Sequence, residues 1–374
     1  MKRKNGNIEQ GVENVKYKVQ STNERRFTDS GAQKFHEKLQ DSSALHLSVI
    51  ECEESGSSIH AFSHYTVMRN EAVDALECKS KGRGGLVYVD ATLGGGGHSE
   101  LILQKIQSSG RLISFDVDED AIHAASERLK DYKNLTIIKD SYINVKKVLQ
   151  DLKIDSITGG ILFDLGASYH QLTKAERGFS FSKDAPLDMR FNKDSAFSAF
   201  DVVNSYCEAD LVRIFSEYGE ERFSKRIAKK IVEQRRVQSI KTTGELADLI
   251  VKATPRIKSS IHPATRVFQA IRIEVNQELT NVKKALDDVL DLLGDGAIIS
   301  IMSFHSLEDR LVKIFFRHNS QKCRCEKNQP ICKCLPPKLE IINKKPISAS
   351  KNEVEENPPS RSAKLRVAKK VIGE

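Results

Sequence analysis

The chain contains no run of eighteen apolar residues, so no segment of it reads as a helical membrane span. Lys2, Arg3 and Lys4 lead into no apolar stretch, which argues against a secretory signal. The first 58 residues are not acid-poor either. They carry nine basic and nine acidic side chains, unlike an organelle transit peptide. Cysteine is scarce and uneven: there are seven, an odd number, and four crowd into residues 323–334. That is not the spread of a disulfide framework. A cytoplasmic protein is expected, without a membrane role. Apolar residues make up only 39% of the chain, which implies that part of its 374 residues is poorly packed. Opposing this list of absences is an excess of positive charge, +8 with a pI near 9.0, which suits a polyanionic partner.

One stretch organises the remainder. Leu86-Val-Tyr-Val-Asp90 reads as a buried strand, Gly94-Gly-Gly-Gly97 as a tight turn, and His98-Ser99-Glu-Leu-Ile-Leu as the start of a helix. Glycines there let the backbone approach a ligand closely, and the helix turns its unpaired N–H groups toward the same place. A second strand, 111–115, ends at Asp116, twenty residues after Gly96, where a carboxylate can accept hydrogen bonds from ribose hydroxyls. The alternative is a tight strand-to-helix turn with no ligand. Two nucleoside cofactors fit the pattern. The third glycine of a dinucleotide fingerprint is missing, replaced by Ser99, which leans the reading toward S-adenosylmethionine and away from a nicotinamide dinucleotide.

Strand and helix alternate from residue 86 to Asp164: strands at 86–90, 111–115, 135–138 and 160–163, with helices at about 98–107, 119–130 and 144–152. Such alternation predicts a parallel sheet covered on both faces, with ligands at the carboxyl ends of its strands. Gly96, Gly97, His98, Asp116, Tyr142 and Asp164 all fall at those ends. From about 183 to 270 the pattern is helical, with helices expected at 210–218, 223–234 and 243–253. The alternation resumes with a helix at about 276–293, a strand at 296–302 and a helix opening at Phe304-His305-Ser306. The expected organisation is a mostly disordered extension over 1–58, a sheet domain over 59–182 and 271–374, and an inserted helical, substrate-binding domain over 183–270.

Several longer motifs are family-specific. They include Asp164-Leu-Gly-Ala-Ser168, Gln171-Leu172, Arg177-Gly-Phe-Ser-Phe181, Pro186-Leu-Asp-Met-Arg190, His262-Pro-Ala-Thr-Arg266, Ser303-Phe-His-Ser-Leu-Glu-Asp-Arg310 and Arg361-Ser-Ala-Lys-Leu-Arg366. Together they resemble the bacterial ribosomal RNA small-subunit methyltransferase H family, whose members methylate N4 of a cytidine in the decoding region of 16S ribosomal RNA. The likeness runs from about His64 to Val371. It implies an α/β fold of the class I S-adenosylmethionine-dependent methyltransferase type, Rossmann-like and parallel-rich, with an inserted helical domain. It also implies a substrate in the small ribosomal subunit. Cofactor contacts carry over to Gly96, Gly97, His98, Asp116, Tyr142, Asp164 and Gln171. The chain departs from the family pattern at Thr66, where proline is common, at Tyr142, at Ser168-Tyr169 and at Asp184-Ala185-Pro186.

Other residues admit two readings each. Asp188 and Arg190 are substrate candidates or a structural ion pair closing the insertion. His305 and Ser306 are substrate candidates or polar groups opening a helix. Lys225, Lys229 and Arg236, with Arg222, Arg226, Lys230, Arg235 and Lys241, lie along one amphipathic helix that contacts phosphates or is a solvated face. Cys323, Cys325, Cys332 and Cys334 are a candidate zinc site, against reduced thiols in a loop. Competing functions are a non-catalytic RNA-binding assembly factor and an NAD-dependent oxidoreductase.

Overall fold

The computed structural model describes residues 66–78, 85–255, 261–323, 325 and 336–371. The expected extension over 1–58 lies outside the described residues. Among the described residues no helix is long and apolar enough to cross a membrane.

The chain opens with helix α1 (Arg69–Asp74) and then alternates: β1 (Leu86–Asp90), α2 (Gly97–Ile106), β2 (Gly110–Asp116), α3 (Glu119–Arg128), β3 (Leu135–Lys139), α4 (Val145–Asp151) and β4 (Gly160–Asp164). Five helices follow a short α5 (Tyr169–Thr173): α6 (Ala199–Ser205), α7 (Glu208–Glu217), α8 (Ser224–Val237), α9 (Thr243–Ala253) and α10 (Ala264–Asn276). Next come α11 (Glu278–Leu292), β5 (Ile298–Ser303) and α12 (Ser306–Ser320). The chain finishes with β6 (Leu339–Ile341), β7 (Ile347–Ser348), α13 (Lys351–Glu356) and β8 (Lys364–Lys370).

The strands form one sheet in the order β3-β2-β1-β4-β5-β8-β6, with β7 also on β8. β3, β2, β1, β4 and β5 are mutually parallel, whereas β8 runs antiparallel to β5 and β6. Strand order reverses direction at β1, which is where open α/β sheets place their ligands. Alternate residues of each strand enter opposite cores. Val89, Ile113, Phe163 and Ile301 pack with α11 residues Leu286 and Val289. Tyr88, Leu112, Leu162 and Met302 pack instead with Val73 of α1 and Ile102 of α2. Both faces are therefore covered, as a parallel sheet requires. This is the expected class I methyltransferase topology.

A third core belongs to the helices after β4: Val202, Leu211, Phe215, Ile227, Ile231, Leu246, Ile250, Phe268 and Ile271 are buried together. The sequence suggested a boundary at 270, but α10 runs unbroken through that point and sends Ile271 and Val275 into the helical core. The sharp break comes at Gln277, whose φ of 50° separates α10 from α11. The sequence reading placed a helix at about 276–293, close to α11, but gave none over α10, so its boundary fell inside that helix.

Two glycines in the turn after β1 are required for different reasons. Gly96 caps α2 with φ 79°, a left-handed conformation that costs an L-residue energy. Gly97 is helical, but a Cβ on it would meet the Thr66 hydroxyl oxygen at 1.8 Å. Gly97→Ala should destabilise the protein by about 1–3 kcal/mol through overpacking. Adding Thr66→Ala, which removes the clashing hydroxyl, should recover most of that loss in denaturant unfolding. A double variant no more stable than Gly97→Ala alone would place the constraint elsewhere.

Candidate active site

Three carboxylates stand at the carboxyl ends of three adjacent strands: Asp116 on β2, Asp90 on β1 and Asp164 on β4. Their environments differ. Asp90 is fully buried, accepts from the Thr92 amide at 3.1 Å and from the Ser99 hydroxyl at 2.7 Å, and Ser99 also bonds Ser114 at 2.9 Å. Burial pushes its pKa up to about 7, against the opposing pull of those two donors. Ser99, the residue that broke the dinucleotide fingerprint, is thus a structural partner of Asp90.

Asp116 accepts the Gly94 amide on one oxygen at 2.8 Å and the Asp118 amide on the other at 2.9 Å. A carboxylate has about four acceptor sites, so these bonds leave capacity for ribose hydroxyls. Burial raises its pKa to about 6. The same two bonds pin the glycine turn to the end of β2, assisted by Leu93 donating to the Phe115 carbonyl at 2.8 Å.

Asp164 is the exception. Its Oδ1 is buried with no hydrogen-bond partner among the described residues. Its Oδ2 lies 3.7 Å from His98 Nδ1, too far for a hydrogen bond. Burial, reinforced by Asp90 and Glu308, pushes its pKa up to about 8. A buried acceptor without a donor is costly and marks a place where a ligand completes the structure. His98, 3% exposed, sits on the Val67 carbonyl through Nε2 at 3.1 Å, so the ring is oriented between α1 and the strand ends.

Tyr142 follows β3 and packs edge-on against Phe163, with centroids 5.6 Å apart and planes at 84°. Gln171 has both ends of its amide engaged within the protein. Its Nε2 donates to Asp118 at 2.8 Å and its Oε1 accepts the Ser168 amide at 2.9 Å. Asp118 also receives Arg177 Nη1 at 2.8 Å, a pair whose side chains are 1% and 3% exposed. Arg177 then donates through Nη2 to the Arg190 and Phe191 carbonyls. The sequence places Arg177 in a family-specific motif but gives it no role of its own. Its signal was there, an arginine before glycine in a family motif, but its partner is 59 residues away.

The remaining candidates divide. Arg190 forms a two-point bridge to Asp188, at 2.9 and 2.7 Å, and donates through Nη1 to the Lys193 and Ser195 carbonyls. That is the geometry of the structural alternative: although burial works against ionisation, Arg190 holds Asp188 below the usual carboxylate range. His305 is buried between β5 and α12, its Nε2 at 3.1 Å from Glu308 Oε1, while Ser306 bonds Glu220 at 3.4 Å. On α8, Lys225, Lys229 and Arg236 are exposed and have no ion-pair partner among the described residues. Arg235 is different, because it donates to the Val203 and Tyr206 carbonyls at the end of α6. Of the four clustered cysteines, Cys332 and Cys334 lie outside the described residues; Cys323 is exposed and Cys325 half-buried.

The charge burial at Asp164 has a thermodynamic signature. Its carboxyl binds a proton more tightly in the folded chain than at the ordinary 3.8, so the folded state holds more protons between about pH 4 and pH 8. Its contribution to stability is therefore greatest below pH 4 and is lost as pH rises toward 8. Asp164→Asn should match wild type near pH 4 and exceed it by on the order of 2 kcal/mol at pH 8. Denaturant titrations across that range check this, and a pH-independent difference would contradict it.

The sequence profile of the MraW methylase family matches residues 61–371. A protein of Clostridium botulinum called ribosomal RNA small subunit methyltransferase H is 51% identical over 312 residues, covering 83% of this chain and 99% of that one. A protein of the same name from Caldicellulosiruptor saccharolyticus is 50% identical over 311 residues, covering 83% and 100%. With its strand order, its glycine turn and its acidic strand ends, this chain belongs to the MraW methylase family.

Proposed function

We propose that the protein is an S-adenosylmethionine-dependent methyltransferase of the small-subunit ribosomal RNA, and that its target is N4 of a cytidine in 16S RNA. The single observation that carries the choice of an amine is Asp164, a half-buried carboxylate at the end of β4 whose buried Oδ1 is an acceptor without a donor among the described residues. The cofactor fits the residues present. Asp116 offers two free lone pairs to the ribose, Gly96 and Gly97 open the backbone beside the start of α2, and Tyr142 presents an aromatic ring for the adenine. Gln171 and Arg177 support that pocket by fixing Asp118 and thereby the β2–α3 turn. His98 borders it from the start of α2.

When bound, S-adenosylmethionine supplies a methyl group on a sulfonium, which departs as a neutral thioether. The protein's task is then alignment. The exocyclic amine of cytosine is a weak nucleophile because its lone pair is delocalised into the ring. Asp164 Oδ1 accepts one N4–H bond, which fixes the amine and holds the proton that becomes acidic as the new N–C bond forms. Such a base must be unstacked to reach a strand end.

The inserted helices, 183–270 by the sequence reading and extended here to Asn276, are proposed to hold the RNA. Lys225, Lys229 and Arg236 supply phosphate contacts along the exposed side of α8. The small subunit as substrate, a cytoplasmic location and a zinc ion on Cys323, Cys325, Cys332 and Cys334 are parts of the same proposal. The zinc is checked by metal analysis of protein purified without chelator, and a stoichiometry near zero rejects it. The oxidoreductase alternative is disfavoured by the engagement of Ser99 with Asp90, which occupies the place of the third fingerprint glycine.

Two expectations test the reading. Labelled donor incubated with small-subunit RNA or assembled 30S particles should give N4-methylcytidine on digestion and mass analysis. Asp164→Ala should lower kcat by about 10²–10³-fold and Asp164→Asn by less, because Asn retains an acceptor oxygen. Methyl found on ring C5 or the ribose 2′-oxygen rules out the N4 assignment, and absence of any transfer favours an assembly factor. Separately, Lys225→Glu, Lys229→Glu and Arg236→Glu combined should leave donor affinity nearly intact while methylation of the RNA falls steeply. The salt dependence should flatten by roughly one unit per lost contact. A triple variant with normal rate and salt slope would make α8 a solvated face.

A further inference from the structure

Two of the family-specific motifs, Arg177-Gly-Phe-Ser-Phe181 and His262-Pro-Ala-Thr-Arg266, meet in the helical insertion through aromatic members. The His262 imidazole lies on the Phe181 ring, with centroids 4.6 Å apart and planes at 31°. Phe181 is half-buried against the helical core and meets Phe268 of α10 edge-on, at 4.9 Å and 70°. His262 Nδ1 accepts the amide of Ala264, the first residue of α10, at 3.2 Å. The ring is thus held twice, by a hydrogen bond in its plane and by an aromatic neighbour on its face. In its neutral form it carries its proton on Nε2. Even so, His262 is exposed. An amide at a helix start needs only an acceptor, which Asn, Asp or Ser supplies without a ring. A ring fixed in place and left open to solvent is a surface on which another flat ring can stack.

Contacts on both sides tie this pair to the sheet. Arg266, in the first turn of α10, donates through Nη1 to the Glu220 carbonyl at 3.1 Å. The Glu220 carboxylate accepts Ser306 at 3.4 Å and Arg310 at 3.3 Å, both near the start of α12. That helix begins just past the carboxyl end of β5, and Met302 of β5 is the register partner of Asp164 on β4. From the other side, Phe181 is four residues beyond Arg177, whose buried pair with Asp118 ties its segment to the turn after β2. Both members of the stack are therefore anchored to elements at the strand ends. Exposed cations begin beside Glu220: Arg222 and Lys225 lead into α8, and neither has an ion-pair partner among the described residues.

We propose that His262, backed by Phe181, is the stacking platform for an unstacked RNA base that flanks the target cytidine. This rests on the RNA-methylation reading above but not on which atom is methylated. A target base must leave its stack to reach a strand end, and its neighbour then loses a stacking partner. The imidazole replaces that partner, while Arg222 and Lys225 take the phosphates that follow. Stacking uses the π-face that every base has, so the platform tolerates any base and requires only that one be present. His262 touches the RNA away from the reacting atoms, and its effect falls on RNA binding and not on the chemical step.

The test removes the base as well as the ring. Small subunits are reconstituted with 16S RNA carrying an abasic residue at one flanking position at a time. Single-turnover methyl transfer is then measured over a range of enzyme concentration. For wild type, the concentration giving half the maximal rate should rise about tenfold or more at one flanking position. Exchanging the base there for any other should leave it nearly unchanged. His262→Ala should show the same loss on intact RNA and no further loss at that abasic position. Two more variants separate stacking from capping: His262→Asn keeps an acceptor for the Ala264 amide without a ring, and His262→Phe keeps a ring without the acceptor. Stacking requires His262→Phe to bind RNA like wild type and His262→Asn to bind like His262→Ala, with donor affinity unchanged in all. The reverse order overturns the proposal, as do equal affinities across the four proteins or a wild type indifferent to every abasic position. If wild type transfers no methyl to the RNA, the functional reading and this inference fall together; transfer without a His262 effect removes the inference alone.

Discussion

Gathering three buried or half-buried carboxylates at the ends of neighbouring parallel strands is the constraint on which the strand-end arrangement depends. Three such groups would repel one another and lose hydration at once, so each must be satisfied or left neutral. Asp90 is satisfied by a hydroxyl and an amide from its own turn. Asp116 is satisfied by two amides, and those bonds dictate where the glycine turn and the start of α3 lie. Asp164 is left incomplete. The three strand ends thus differ in how far the protein itself satisfies them, and the turn between them admits only Gly96, for its left-handed backbone, and Gly97, for its closeness to Thr66.

A second buried charge extends this frame beyond the sheet. Arg177 meets Asp118 with almost no exposure on either side, and Gln171 takes the same carboxylate oxygen. Removing one partner of such a pair typically costs about 3–5 kcal/mol, since the other is stranded. The loop after β2 and the segment leading into the helices are consequently one mechanical unit. Asn276 adds a link from the far end of the helices, donating to the Met189 carbonyl at 2.7 Å and accepting the Phe191 amide at 2.8 Å. Entry and exit of the insertion are tied to each other, so the helices cannot drift far from the strand ends.

The sheet half of the fold was legible because its signals are local. Strands 86–90 and 160–163, the glycine turn and Asp116 are each read within a few residues, and periodicity locates the helices between them. The helical insertion was visible as a loss of strand pattern, but its far limit was set at 270, inside α10, because which core a helix joins depends on partners distant in sequence. The three residues of β6, Leu339-Glu340-Ile341, are too few for their alternation to be read as a strand, and their pairing with β8 makes them one. In the site, position at a strand end pointed to Asp116 and Asp164. It could not reveal that one is satisfied and the other orphaned, nor that Arg177 finds Asp118. Those facts depend on partners brought together by the fold, and identical residue types on the surface would read the same way.

The order of strands has a temporal meaning. β8, residues 364–370, is not an edge: it lies between β5 and β6, which have no direct pairing with each other. As the chain emerges from N- to C-terminus, β3 through β5 can assemble while β5 still has an unpaired flank. That flank cannot be closed by the next strand made, β6, and must wait for one synthesised about sixty residues after β5 ends. Arg366 then ties the late strand to Asp309 of α12 at 2.7 Å, beside the helix start that carries His305 and Ser306. The start of α12 is thus tied down last, so a partly made chain has its glycine turn before the segment that carries His305 and Ser306 is fixed.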